Sequence, residues 1–258
     1  MKTAVEKPGV TNGDVMIELR NLTKFYGDTK AVDGVSLAVR AGEIFGFIGP
    51  NGAGKTTTIR MMGGILAPTS GDILISGIDM ARDPQTAKKV IGFIPDRPFL
   101  YEKLTGVEFL RFSADLYGVE EEAFLDRSTR LLKQFSLDEW GNELVEAYSH
   151  GMKQRLIIVA ALLHEPRVII VDEPMVGLDP AGIKMVKDIL RGLADGGTTI
   201  FMSTHTLAVA EDLCDRIGVI SRGAVIATGT VRELEAVAET READLEAVFL
   251  RLTREEAR

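Results

Sequence analysis

Cysteine, long apolar runs and excess positive charge are what this chain has little of. Its 258 residues hold one cysteine, Cys214, so an internal disulfide is excluded and a reducing compartment suits the chain. Cys214 stands in Ala210-Glu-Asp-Leu-Cys-Asp215, a helix-like run that places the thiol on its apolar side, a packed rather than a reactive group. No apolar run approaches the roughly 18 residues of a membrane-spanning helix. Residues 1–14 are polar, carry Pro8, Gly9 and Gly13, and lack the apolar segment of a secretory leader. They are expected to form a loose tail. Thirty Lys and Arg stand against 38 Asp and Glu, a formal charge of −8, which argues against broad electrostatic binding of nucleic acid. Internal repeats and low-complexity segments are also missing. The remaining composition, 45% hydrophobic and 26% charged, is that of an ordinary globular chain, long enough for one large α/β domain or a domain with a subdomain.

What is present is organised around Gly49-Pro-Asn-Gly-Ala-Gly-Lys-Thr-Thr57. An apolar run, Glu43 to Ile48, precedes it, and a helix-compatible stretch, Thr56 to Met62, follows. Strand, glycine loop and helix form the context that a phosphate-binding loop requires. Gly49, Gly52 and Gly54 let the backbone turn tightly with its N–H groups aimed at phosphate oxygens. Pro50, Asn51 and Ala53 complete the loop, and the positive end of the following helix adds attraction. Lys55 can reach the terminal phosphates, and the Thr56 hydroxyl, followed by Thr57, can enter the shell of a Mg²⁺ ion. The loop is therefore read as a nucleoside triphosphate site.

Along the chain, Met16 to Leu19 and Ser36 to Val39 are expected as short strands, with Lys24-Phe-Tyr-Gly27 between them. Gly71 to Ile75 and Val90 to Ile94 are expected as further strands, with Pro68, Gly71, Gly77 and Pro84 as breaks. Apolar spacing then predicts helices over Thr105 to Tyr117 and Glu120 to Phe135, within a helical insertion of roughly 97–163. Arg167 to Asp172 and Thr198 to Ser203 are nearly all apolar, as parallel strands buried on both faces should be. A helix between them is expected to begin near Pro180 and stop at Gly196. Arg216 to Ser221 and Ala224 to Thr228 suggest a late hairpin. Residues 231–258 read as a charged helical tail.

Four further motifs follow the loop in order. Tyr148-Ser-His-Gly-Met152 opens an apolar helix; Ser149 is a good N-cap, and the loop amides with the helix dipole make an anion site. The strand ending in Asp172 and Glu173 offers one acid for Mg²⁺ and a second to polarise an attacking water. Gly177-Leu-Asp-Pro180 comes next, and Ser203-Thr-His205 closes the set.

With these five motifs in this order, from about Ile17 to Thr228, the chain resembles the ATP-binding subunits of ABC (ATP-binding cassette) transporters. The resemblance implies an α/β fold, a P-loop NTPase core carrying an antiparallel β subdomain and an inserted α-helical one. It implies that Tyr26 stacks on adenine, that Asp172 and Glu173 are the metal-binding acid and the general base, and that His205 contacts the γ-phosphate. Ser149, His150, Gly151 and Asp179 would meet the nucleotide of an opposite subunit in a head-to-tail pair, identical or not. ATP and Mg²⁺ are the implied ligands. A separate transmembrane permease is the implied partner, holding the chain at the cytoplasmic face of the cell membrane, with export as the direction. Two motifs depart from the family pattern. The usual signature has glycine and glutamine where this chain has His150 and Met152, and the glutamine expected after Gly92-Phe-Ile-Pro95 is Asp96, which can still reach Mg²⁺ through water. The rival reading is a soluble ABC-type ATPase of repair, chromosome structure or translation. No coiled coil fits between Lys55 and Ser149, and only one cassette is present. A GTP switch lacks its Asn-Lys-x-Asp motif.

Overall fold

Three strands, β3 (Ile44–Ile48), β7 (Val168–Asp172) and β8 (Thr199–Thr204), are buried along their whole length. Their side chains alternate between two apolar clusters, because successive strand residues face opposite sides of a sheet. Phe45, Phe47, Val168, Ile170 and Phe201 join one cluster, while Ile44, Ile169, Val171, Ile200 and Met202 join the other. A sheet covered on both faces is what a parallel arrangement needs. In the computed structural model, which describes residues 14–96, 99–237, 245–246 and 249–251, these strands pair in parallel with β6 (Ile91–Ile94) and β9 (Arg216–Ser221). The sheet order is β10-β9-β3-β8-β7-β6, with β10 (Ala224–Gly229) antiparallel at its edge.

On one face, α1 (Lys55–Met62) buries Ile59, Met61 and Met62 between this sheet and a second, antiparallel one. That second sheet has the order β2-β1-β4-β5, from β1 (Val15–Tyr26), β2 (Thr29–Arg40), β4 (Ser70–Ile75) and β5 (Ile78–Asp79). Phe201 stacks on Phe45 at 5.6 Å between ring centroids and meets Phe47 at 5.3 Å. The other face carries α6 (Pro180–Asp195) and the helices α3 (Gly106–Leu116), α4 (Glu121–Gln134) and α5 (His150–Leu162). Thr105 and Glu108 close α3 with a capping box, at 3.2 and 2.8 Å. Two short 3₁₀ turns, Asp138–Trp140 and Val145–Ala147, lead from α4 to α5.

Several local expectations change. β1 and β2 run twelve residues each rather than four, because β1 bonds to strands on both sides and absorbs its polar stretch in register shifts around Leu22. The Lys24–Tyr26 segment is strand, and only Gly27 and Asp28 turn. Pro84 opens a helix, α2 (Pro84–Lys89), with Asp83 accepting from the Thr86 N–H at 3.1 Å. Proline in a first helical turn loses no hydrogen bond. Cys214 lies just past α7 (Leu207–Leu213), with its sulfur against Gly46. Of the expected C-terminal helix, α8 (Val231–Val237) and the helical residues 245–246 and 249–251 are described, with Leu245 packed near Ile48. The rest of that tail, and the N-terminal tail except Asp14, lie outside the described residues.

Candidate nucleotide site

The phosphate loop is held open from behind by backbone. Gly49 leaves β3 so close to β9 that a Cβ on it would overlap the Ile220 carbonyl oxygen. Gly54 has φ +107, and a Cβ there would lie 2.5 Å from the Ala31 carbonyl oxygen, so only glycine serves. The turn between β9 and β10 closes the clamp. Gly223 N–H donates to the Ala53 carbonyl at 2.9 Å, and the Gly223 carbonyl accepts from Asp33 N–H at 2.8 Å. Helix α1 then starts at Lys55 with no acidic residue in its first turn and no side-chain cap. Its first N–H groups therefore have no intrahelical acceptor and favour an anion.

Lys55 is 8% exposed and arches back over the loop. Its ammonium donates to the carbonyls of Gly49 at 2.7 Å and Pro50 at 3.2 Å. Burial pushes its pKa down, against the pull of Glu173 and Asp172. Strand β7 ends at Asp172, 2% exposed and directly opposite Ser203 of β8. The Ser203 hydroxyl donates to Asp172 Oδ1 and accepts from the Glu173 N–H at 3.3 Å. Glu173 has φ +53, a left-handed conformation that costs a non-glycine residue about 1–2 kcal/mol. Its N–H also donates to the Ser203 carbonyl at 3.2 Å, which helps to hold that geometry. Glu173 Oε1 lies 2.9 Å from His205 Nδ1, and Oε2 accepts from the His205 N–H at 3.4 Å. The His205 side chain is 59% exposed and that of Glu173 only 14%.

These groups meet in a cavity of about 500 Å³ lined by Ala31, Asn51, Gly52, Gly54, Lys55, Thr56, Thr57, Asp96, Asp172, Glu173, Val176 and His205. Gly49, Pro50 and Ala53 shape the loop behind it. Among the described residues no group of three or more His, Cys, Asp or Glu is arranged to hold a metal by itself. A hydroxyl (Thr56) beside two carboxylates (Asp172 and Asp96) is nevertheless a hard-oxygen set of the kind that shares Mg²⁺ with phosphates. Tyr26 does not line the cavity. It is 49% exposed at the end of β1, with Lys24 Nζ 5.7 Å from its ring centre.

The residues expected to act across subunits lie outside the cavity. Ser149 caps α5 through the Met152 N–H at 3.3 Å, and Asp179 caps α6 through the Gly182 N–H at 2.8 Å. His150 and Gly151 rest on the Gly177 and Leu178 loop. Sequence reasoning gave no role to Ser203, Gly223, Ala31 or Val176. Ser203 sits within a recognised motif and Val176 only three residues past Glu173, while Gly223 and Ala31 reach the site through tertiary contacts.

Residues 32–176 match the family model described as ABC transporter. The chain belongs to the ATP-binding subunits of ABC transporters. This cassette is 39% identical over 226 residues to the probable multidrug ABC transporter ATP-binding protein YbhF of Escherichia coli (strain K12), a match covering 88% of the cassette and 39% of YbhF. It thus spans well under half of that relative's length. The ABC-type transporter ATP-binding protein EcsA of Bacillus subtilis (strain 168) is 37% identical over 242 residues, 94% of the cassette and 98% of EcsA. The bacitracin transport ATP-binding protein BcrA of Bacillus licheniformis is 42% identical over 212 residues, 82% of the cassette and 68% of BcrA. Among solved structures, an ATP-binding subunit of an ABC transporter superposes with a TM-score of 0.87 at 36% identity, covering 92% of the cassette and 99% of that chain. A dimeric post-hydrolysis cassette, MJ0796 bound to ADP and Pi, superposes with a TM-score of 0.74 at 27% identity, covering 83% and 98%. The P-loop core with its antiparallel sheet and helices is accordingly the ABC ATPase fold.

Proposed function

We propose that this cassette binds ATP and Mg²⁺ in the cavity above α1, hydrolyses ATP as one member of a head-to-tail pair, and thereby powers export through a separate permease. The observation that carries the proposal is the Glu173–His205 contact at 2.9 Å beside Lys55 in one cavity. A carboxylate held by an imidazole and a backbone N–H is oriented to accept a proton from a water. Its left-handed backbone fixes that carboxylate beyond the end of β7, where the cavity opens. Lys55, already desolvated, and the first N–H groups of α1 would take the negative charge of the terminal phosphates. Thr56, Asp172 and Asp96 would hold the metal, which when bound neutralises phosphate charge. Nucleotide contacts from Ser149, His150, Gly151 and Asp179 would come from the second cassette, and an adenine contact from Tyr26.

The partner surface is argued from the stretch that follows Asp96. Phe99, Tyr101 and Phe112 form an edge-to-face series at 5.4 and 5.3 Å between centroids, with Phe99 78% exposed. An uncovered aromatic series of this kind marks a protein contact. A permease seated there would feel the cavity through the Asp96 loop and would hold the cassette at the cytoplasmic face of the membrane. Among the described residues no helix is long and apolar enough to cross a membrane. The names of YbhF and BcrA, multidrug and bacitracin transport, support a drug or antibiotic as the class of cargo. Glu173→Gln tests the chemistry: the variant is expected to bind labelled ATP and to lose nearly all phosphate release. Turnover at the wild-type rate would remove Glu173 from the role of base.

A further inference from the structure

The first turn of α5 and the loop before α6 meet within one chain. Gly177 has φ +79, and a Cβ built on it would overlap His150 Cδ2. The imidazole edge therefore lies on the Gly177 backbone, in the volume that a side chain would fill. Beside it, a Cβ on Gly151 would lie 3.5 Å from the Gly177 carbonyl oxygen and 3.6 Å from Leu178 Cδ2, which is ordinary contact. Two residues of α5 thus cover two residues of the loop.

The loop is anchored at both ends. Val176 lines the nucleotide cavity, and its N–H donates to the Glu173 carbonyl at 3.2 Å. Two residues after Gly177, Asp179 caps α6. A shift of the Glu173–Val176 turn must carry Gly177, and Gly177 cannot rise without displacing the ring above it, because packed contacts do not compress.

We propose that His150 is a positioning residue that clamps the Gly177–Asp179 loop to the first turn of α5, so that one chain's nucleotide cavity and its Ser149–Gly151 turn move as one unit. The proposal rests on the paired-cassette reading above. In that reading the two ends of the unit serve different ATP molecules, one held by the chain itself and one held by its partner. The clamp is a packing device, so a planar side chain of similar width can replace the imidazole, whereas the family's glycine cannot.

The test uses the full chain carrying Glu173→Gln, to which His150→Gly, His150→Asn, Gly177→Ala or the pair His150→Gly with Gly177→Ala is added. The readouts are the thermal midpoint without nucleotide and the ATP concentration that half-saturates pairing in sedimentation. Gly177→Ala is expected to lower the midpoint and to raise the pairing concentration about tenfold, within the range measured for touching residues. Adding His150→Gly should recover the part of both losses that the ring causes, since the new methyl enters the space the ring has left, while the cost of a non-glycine residue at φ +79 stays. His150→Gly alone should lower the nucleotide-free midpoint and weaken pairing, and His150→Asn should keep the nucleotide-free midpoint of the parent. The clamp is overturned if Gly177→Ala is equally impaired with and without the ring, which would make its left-handed backbone the whole cause. It is also overturned if His150→Gly pairs like the parent. A parent that never pairs with ATP sinks the paired-cassette reading and with it the relay, while a non-additive thermal cycle would still uphold the contact itself and an additive one would overturn it.

Discussion

Ser203→Ala removes one hydroxyl from the interior and should reach both stability and nucleotide binding. That hydroxyl donates to the buried Asp172 carboxylate and accepts from the Glu173 N–H. A hydrogen bond to a charged, buried partner is worth about 2 kcal/mol. In a domain of this size each kcal/mol moves the melting midpoint by about 2–4 °C, so a fall of about 4–8 °C is expected. Far-UV circular dichroism during heating measures it directly. The gap between variant and wild type should widen in ATP and Mg²⁺, because a chain that binds the ligand more weakly is stabilised less by it. Labelled-ATP titration should show weaker binding in Mg²⁺ than in its absence relative to wild type, since the misaligned carboxylate serves the metal. A midpoint within about 1 °C of wild type, unchanged by ligand, would refute the reasoning.

Three other outcomes follow from the same geometry. Burial pushes the Cys214 thiol from 9.0 up to about 12, so it should resist Ellman's reagent until the chain unfolds. Because the folded value is raised, that contribution to stability is complete below about 9 and is lost as pH climbs towards 12; Cys214→Ala should flatten this alkaline decline in urea midpoints. Gly49→Ala sets a methyl against the Ile220 carbonyl, a backbone atom that cannot turn aside, and should cost about 2 kcal/mol in urea unfolding together with most ATP binding. Asp96→Ala should lower phosphate release with little change in ATP affinity, and Asp96→Gln should retain more activity than the alanine; equal rates in all three chains would make Asp96 a bystander.

The phosphate loop, the two acids at the end of β7 and His205 were legible because each is a local pattern with a local cause. Glycines permit the turn, and a fully apolar strand delivers Asp172. Helix α6 was equally plain, with Pro180 inside its start and Gly196 past its end. The polar middle of β1 was not legible, because pairing with Asp72 and Ser70 of β4 holds Arg20 and Thr23 in the sheet while β2 pairs with Leu19, Leu22 and Lys24 around them. Pro84 looks like a break in the sequence, yet the same residue opens a helix when Asp83 precedes it. The Gly223 clamp on Ala53 could not be seen at all, since it joins turns about 170 residues apart in a closely packed core. The His150 contact with Gly177 was hidden for the same reason. His150 stood out only as a departure from a glycine, and the glycine that accommodates it lies in another motif.

The central claim is that ATP bound in this cavity joins two cassettes head to tail. Sedimentation of the Glu173→Gln chain with and without ATP and Mg²⁺ tests it most directly. A species near the 28.1 kDa of one chain is expected without nucleotide, and one of twice that mass with it. A single unchanged mass at saturating ATP, in a chain that demonstrably binds the nucleotide, would contradict it.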